Sequence, residues 1–202
     1  MVVDEAHNLM DAIANINAIS VTHHQLRRSR ILLHVYLQKF RNRLKGKNRM
    51  YVVQVVRVLD SITAYLDEKA SDSRVTDGIA QVSELMAGKG VDQINLYKLL
   101  RYLSQSKLAR KAEHYAQFID EKDSSVASES HGSSTPALTV VQSFLAALTN
   151  PSSEGCFFYE RSESNGLSLK YMLLDPSPHF QELVEDARAV ILAGGTMSPV
   201  SC

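Results

Sequence analysis

The sequence predicts an α/β fold interrupted by a large all-helical insertion, on three observations. A β-branched pair, Val2-Val3, runs directly into an acidic string, Asp4-Glu5-Ala6-His7. A wholly apolar run, Ala189-Val190-Ile191-Leu192-Ala193, reads as a strand inside a parallel sheet and empties into Gly194-Gly195-Thr196-Met197-Ser198-Pro199. Between these ends, residues 23 to 119 repeat apolar side chains every three or four positions, the period of a helix face.

Taken in order, Leu9, Ile13 and Ile16 recur at helical spacing, so a short helix leads away from the acidic string. Ile19-Ser20-Val21-Thr22 reads as a brief extended passage, with Thr22 suited to cap the helix that follows. From 23 to 45 the pattern is two-faced. Leu26, Leu33, Leu37, Phe40 and Leu44 form one side and Arg27, Arg30, His34, Gln38, Arg41 and Lys45 the other, closing at Gly46. Asn48 to Ala70 is rich in valine, a strand former, yet Val52, Val55, Leu59, Ile62 and Leu66 keep a helical rhythm. Thr76 to Ala87 reads as a weaker helix carrying Ile79, Val82 and Met86. A further helix starts at Asp92 and presents Leu96, Leu99, Leu100 and Leu103. After a soft spot at Ser104 to Ser106 its stripe resumes with Leu108, Ala112, Tyr115 and Ile119.

Asp120 to Ser134 is Ser-rich and charged and reads as a mobile connector. Thr135-Pro136 is a good N-cap and first-turn pair for a helix with Leu138, Val141, Leu145 and Leu148 on one face, ending before Asn150-Pro151. The period then changes. Cys156 to Tyr159 and Leu167 to Leu174 have strand length and are joined through Ser164-Asn165-Gly166, as in a hairpin. Ser177-Pro178 opens a helix expected to bury Phe180, Leu183, Val184 and Ala187, ahead of the last strand.

Acids and bases balance at 22 each, so net charge excludes nothing; their distribution is more informative. No Asp or Glu lies between Asp11 and Asp60, an interval holding Arg27, Arg28, Arg30, Lys39, Arg41, Arg43, Lys45, Lys47, Arg49 and Arg57. That asymmetry points to a polyanionic partner. Cys156 and Cys202 are the only cysteines and lie far apart, which argues against a disulfide framework and against a four-cysteine zinc or iron-sulfur site within these 202 residues. No apolar run approaches the ~20 residues of a membrane-spanning helix, and carboxylates soon after Met1 do not suit a signal peptide. An intracellular, reducing location fits.

The acidic string has the form of the Asp-Glu-Ala-His signature of nucleic-acid-dependent ATPases. A Mg²⁺ on nucleotide phosphates keeps several waters and takes a hard carboxylate at a strand end, the place of Asp4. Glu5 would stand where it orients the water that attacks the terminal phosphate, and His7 where it meets a neighbouring strand end. The plain alternative has Asp4 and Glu5 merely favoured at the positive end of a helix from Asn8 to Asn15. Gly194-Gly195-Thr196 after a buried strand sets backbone N–H groups and a hydroxyl at the carboxyl end of a sheet, where open α/β sheets bind ligands; its plain alternative is a strand-end turn, and the acidic motif adds weight to the functional reading. The basic face, with Arg27, Arg30, Arg41 and Lys45, lacks acids for i,i+4 pairs and is a candidate for phosphate contact. Lys98 and Arg101, with Lys107, Arg110 and Lys111, form a second acid-free cluster interleaved with Tyr97 and Tyr102, which read first as core or boundary tyrosines. His23-His24 reads as helix-start surface rather than a metal site.

With both ends read, the chain resembles the middle of the first motor domain of a superfamily-two DNA helicase of the iron-sulfur family typified by the xeroderma pigmentosum group D helicase. In that family a helical arch is inserted between the acidic motif and a Ser/Gly-Gly-Thr-Leu/Met-x-Pro motif, the order found here. The similarity is strongest to its cohesion-linked branch, the chromosome-loss or Warsaw breakage helicases, through Gln93-Ile94-Asn95-Leu96-Tyr97-Lys98, Phe144-Leu145-Ala146-Ala147-Leu148-Thr149 and Arg188 to Met197. The resemblance implies a RecA-like P-loop NTPase motor domain at 1–22 and 151–202, with the arch at 23–150. It implies ATP and Mg²⁺ as cofactors, with Asp4 and Glu5 as metal and water-activating carboxylates and Gly195 beside the nucleotide. His7 and Thr196 would couple nucleotide state to strand movement. It further implies binding of single-stranded or forked DNA and 5′→3′ unwinding in the nucleus, in replication, repair and sister-chromatid cohesion, with replication and cohesion proteins as partners. The sequence departs from the family in holding no Gly-Lys-Thr phosphate loop, no four-cysteine iron-sulfur cluster and no second motor domain. A fragment or short isoform is expected, either catalytically incomplete alone or acting as a helical nucleic-acid- or protein-binding module.

Overall fold

The computed structural model describes residues 1–71, 76–123, 136–150, 154–162 and 166–194, with the backbone alone for 116–123. Two sheets of different kinds organise them. Strands β1 (Val2–Val3) and β6 (Ile191–Leu192) pair in parallel, Val2 opposite Ile191 and Val3 opposite Leu192. Strands β2 (Ile19–Thr22), β3 (Asp77–Ala80), β4 (Gly155–Ser162) and β5 (Gly166–Leu173) form an antiparallel sheet in the order β2-β5-β4-β3. Around it lie α1 (Leu9–Ile16), α2 (His23–Lys39), α3 (Gly46–Ser71), α4 (Val82–Leu85), α5 (Leu96–Ser106), α6 (Leu108–Asp123), α7 (Ala137–Ala147) and α8 (Ser177–Glu185). The fold is mixed α/β.

The valine-rich helix is the core's axis. Val52, Val55, Leu59, Ile62 and Leu66 of α3 are buried in one cluster with Leu26 and Leu33 of α2, Leu99 and Leu103 of α5, and Val141, Phe144 and Leu145 of α7. Spacing overrode β propensity here because the stripe is buried along the helix. Val21, Phe157, Leu169 and Tyr171 of the antiparallel sheet join the same cluster, so helices and sheet share one interior. Helix α2 starts as the sequence predicts. The Thr22 hydroxyl accepts from Gln25 N–H at 3.2 Å, and Gln25 Oε1 accepts from Thr22 N–H at 2.9 Å, a reciprocal capping box.

Several expectations are corrected. Helix α2 stops at Lys39, not near 45, and Gly46 opens α3 instead of closing α2. The ring of Phe40 packs on Tyr36 at 4.7 Å and on Tyr115 of α6 at 5.5 Å, and the Phe40 carbonyl accepts from both Arg43 and Leu44 N–H at 2.9 Å, which turns the chain. Thr76 to Ala87 is not a helix throughout but β3 followed by the single turn of α4. Asp77 and Gly78 are poor helix formers, and the exposed edge of β4 offers them a ladder, from Asp77 opposite Glu160 to Ala80 opposite Phe157. The bare Gly78 leaves room for the Tyr159 ring, whose hydroxyl would lie 2.3 Å from a Cβ there. The helical block therefore contains a strand.

The helix expected from Asp92 begins at Leu96, capped by Asn95, whose Oδ1 accepts from Lys98 N–H at 2.9 Å. The soft spot near Ser104 to Ser106 ends at Lys107, in the left-handed region at φ 51°, which separates α5 from α6. Of the connector, 120–123 continue α6 and 124–134 fall outside the described residues, as does Thr135. At the amide end of α7, Glu113 Oε1 of α6 accepts from Leu138 N–H at 2.8 Å. The hairpin of β4 and β5 is as expected, although 163–165 lie outside the described residues.

Two expected burials do not occur. No residue of α8 is buried, and β6 has only two residues, Ile191 and Leu192 being 59% and 43% exposed. Among the described residues β6 has one neighbour, β1, and no layer covering it.

Ser61 pins α4 to α3. Its hydroxyl donates to the Leu85 carbonyl at 2.7 Å and accepts from Gly88 N–H at 2.9 Å. Ser61→Ala leaves both backbone groups without that partner and is expected to cost about 1–3 kcal/mol, read as a lower urea midpoint at unchanged slope.

Candidate functional site

The chemistry-bearing ends of the chain meet on the parallel pair. Met1 O accepts from Ile191 N–H at 3.0 Å and Val3 O from Ala193 N–H at 2.9 Å, and Ala6 N–H donates to Ala193 O at 2.8 Å. Because the strands run the same way, Asp4, Glu5 and His7 emerge at the same carboxyl edge as Gly194. That is the edge where open α/β sheets place ligands. Gly195 and Thr196 lie outside the described residues.

The acidic turn is held in an unusual backbone state. Glu5 sits at φ 53°, ψ 40°, left-handed, a conformation costing a non-glycine residue roughly 1–2 kcal/mol. Three contacts keep it there: Asp4 Oδ1 accepts from Glu5 N–H at 2.9 Å, Glu5 O accepts from Asn8 N–H at 3.0 Å, and His7 Nδ1 lies 3.2 Å from Glu5 Oε2. Ala6 is buried at the turn while both carboxylates face solvent. Backbone strain of this kind collects where a side chain must be aimed.

The structure separates the basic candidates. Arg27 donates to Asp67 Oδ1 at 3.0 Å, sharing it with His23 Nε2 at 2.8 Å, and Arg30 is paired with Asp60. These acids come from α3, across the helix pair, so the lack of acids within α2 does not leave the two arginines unpartnered. Arg41 and Lys45 lie in the turn between α2 and α3, and Lys98 and Arg101 are exposed on α5. Tyr102 stacks on Tyr51 at 4.7 Å, and Tyr97 donates to the Thr149 carbonyl at 3.1 Å. Sequence reasoning missed a groove of about 670 Å³ lined by Tyr36 and Phe40 from the end of α2 and Lys107, Arg110, Lys111 and His114 from α6. Its signal was present in the second acid-free cluster, which the sequence sets beside Tyr97 and Tyr102 and the fold sets beside different rings.

No protein-family model matches the chain. It is 54% identical over 201 residues to the ATP-dependent DNA helicase chl1 of Aspergillus niger, a match covering 100% of this chain and 23% of that protein. The helicase of the same name from Aspergillus clavatus is 54% identical over 202 residues, covering 27% of its length, and that of Coccidioides immitis 52% over 203 residues, covering 23%. The chain is homologous, end to end, to a segment of the chl1 DNA helicase. It spans about a quarter of the length of the curated relatives it matches.

The chl1 relatives are ATP-dependent, and the strand edge has donors of the right kind for a nucleotide's metal. Mg²⁺ is commonly held by one or two protein carboxylates, with phosphate oxygens and waters completing the octahedron. Asp4 and Glu5 supply hard oxygens at exposed, adjacent positions. Among the described residues no group of three or more His, Cys, Asp or Glu could hold a metal without such outside ligands.

Proposed function

We propose that the chain is the part of an ATP-dependent 5′→3′ DNA helicase that carries the acidic motif, the helical arch and the glycine-threonine motif of its first RecA-like motor domain. The observation that carries this reading is the parallel pairing of β1 with β6, which puts Asp4, Glu5 and His7 on one edge with Gly194 across nearly the whole chain. The antiparallel sheet draws on β2, β3, β4 and β5 and shares its core with the helices, so the arch is best taken as the segment between α1 and α8. The motor portions are then the two ends of the chain.

In this reading Mg²⁺-ATP, when bound, supplies the phosphoryl group that is transferred to water. Asp4 would hold the metal directly or through water, Glu5 would orient the attacking water, and Gly195 would contribute to nucleotide binding. His7 and Thr196 link nucleotide state to movement of the strand ends. The intact protein binds single-stranded or forked DNA and unwinds the duplex ahead of it in the nucleus, in replication, repair and sister-chromatid cohesion.

The chain contains no Gly-Lys-Thr string to cradle phosphates. The 202-residue protein is therefore expected to show no DNA-stimulated ATP turnover, whereas the intact helicase turns over and its Asp4→Asn variant shows weakened Mg²⁺-dependent ATP binding. Unchanged metal-dependent binding by the Asp4→Asn helicase, or turnover by the short chain, would sink this assignment.

A further inference from the structure

We propose that the groove between the end of α2 and the start of α6 is a binding site for single-stranded nucleic acid, gripping phosphates with Lys107, Arg110 and Lys111 and seating bases against Tyr36. The inference rests on the DNA-helicase reading and names where on this segment the strand lies. Of the basic face anticipated from the sequence (Arg27, Arg30, Arg41 and Lys45), Arg27 and Arg30 are paired with Asp67 and Asp60. By contrast, none of Lys107, Arg110, Lys111 and His114 is ion-paired among the described residues, and no carboxylate lines the groove. The nearest carboxylate in sequence, Glu113, is spent on the amide end of α7.

A basic groove with rings in its wall distinguishes a nucleic-acid strand from a simple anion. Single strands are held by cations tracking the backbone together with aromatic rings that stack bases without reading sequence. Tyr36 and Phe40 supply the rings, half-buried and packed on each other at 4.7 Å, with Tyr115 behind Phe40. Rings already packed on one another have less side-chain freedom to lose on binding. A volume of about 670 Å³ is of the size that encloses a small-molecule ligand, room for one or two nucleotides of a longer strand. The left-handed Lys107 at φ 51° turns the chain where α6 begins and so fixes where the cationic run starts.

The test uses the 202-residue chain and dye-labelled oligothymidylate in a fluorescence-anisotropy titration at several salt concentrations, with heparin as a base-free polyanion. Three phosphate contacts predict a slope of log affinity against log salt near −2. The Lys107→Gln, Arg110→Gln, Lys111→Gln triple variant is expected to flatten that slope towards zero. Arg27→Gln with Arg30→Gln should leave it unchanged. Tyr36→Leu keeps an apolar side chain beside Phe40, and should weaken oligothymidylate binding about tenfold while leaving heparin binding alone. Circular dichroism on each variant guards against unfolding. Equal loss of both ligands in Tyr36→Leu, or none of either, would reduce the groove to a general polyanion patch and overturn the proposal. If the chain binds oligothymidylate but only the Arg27/Arg30 variant loses it, the groove is wrong and the DNA reading stands. Absence of any binding removes both.

Discussion

Replacing Glu5 with Gln is expected to lower ATP hydrolysis by the intact helicase about 100- to 10,000-fold, the usual worth of a positioned general base, while Mg²⁺-ATP binding stays nearly intact. Glutamine has the shape of glutamate and tolerates the left-handed backbone equally, so φ 53° at this position and the bonds from Glu5 N–H to Asp4 and from Asn8 to Glu5 O should survive. If Glu5 activates the attacking water as proposed, what the variant loses is the ability to take a proton from water and the negative charge that polarises it. Asp4→Asn should differ by weakening metal-dependent binding too, because it removes the charge that the metal meets. Single-turnover hydrolysis with a fluorescent-nucleotide binding assay separates the two. Equal loss of binding in both variants would mean that the carboxylates act together as metal ligands and that neither is the base. Thr196→Ala should leave part of the ATPase while unwinding per ATP falls; a proportional loss of both would make Thr196 a turn residue.

Legibility in the sequence followed how much of each element's fate is local. The helical rhythm of α3 was readable because Val52, Val55, Leu59, Ile62 and Leu66 are all buried, so the pattern and the packing coincide. The box at Thr22 and Gln25 was half readable for the same reason: its cap position is a local rule. The strand β3 was not, since Ile79 and Val82 match a helical period by accident and the deciding partner, β4, lies some 80 residues away. The early end of α2 was hidden likewise in Phe40, whose ring belongs as much to Tyr115 as to its own helix. At the candidate site the acidic motif and its strand were legible as a string, and so was the parallel character of the last strand. The exposure of Ile191 and Leu192 was not, because an apolar run says that a strand can be covered and not what covers it. For the basic residues, sequence could count the acids along α2 but not those facing it from α3, Asp60 and Asp67.

The largest stability effect is expected at Phe144, through which α7 grips the antiparallel sheet. Its side chain is fully buried, with its ring edge-on to Phe157 at 5.5 Å and 73°, and Phe157 in turn meets Tyr171 at 4.9 Å. Phe144→Ala would leave a cavity walled by residues that cannot easily close it. Tyr171 and Leu145 are themselves 1% exposed, and Gly155 of β4 approaches Tyr171 so closely that even a Cβ would lie 2.4 Å from its hydroxyl. Loss of transfer energy plus an uncollapsed cavity is worth about 3–5 kcal/mol, a drop of roughly 100- to several-thousand-fold in the folding equilibrium. Urea denaturation of the 202-residue chain would show it as a large fall in midpoint, while Leu183→Ala on the exposed α8 should move it by no more than about 0.5 kcal/mol. Phe144→Leu should recover more than half of the loss, because it refills the space but not the edge-on ring contact, itself worth about 0.5–1.5 kcal/mol. If Phe144→Ala cost less than about 1 kcal/mol, helix and sheet would not share one core in solution. The helical block would then be a bundle to which the sheet is only appended.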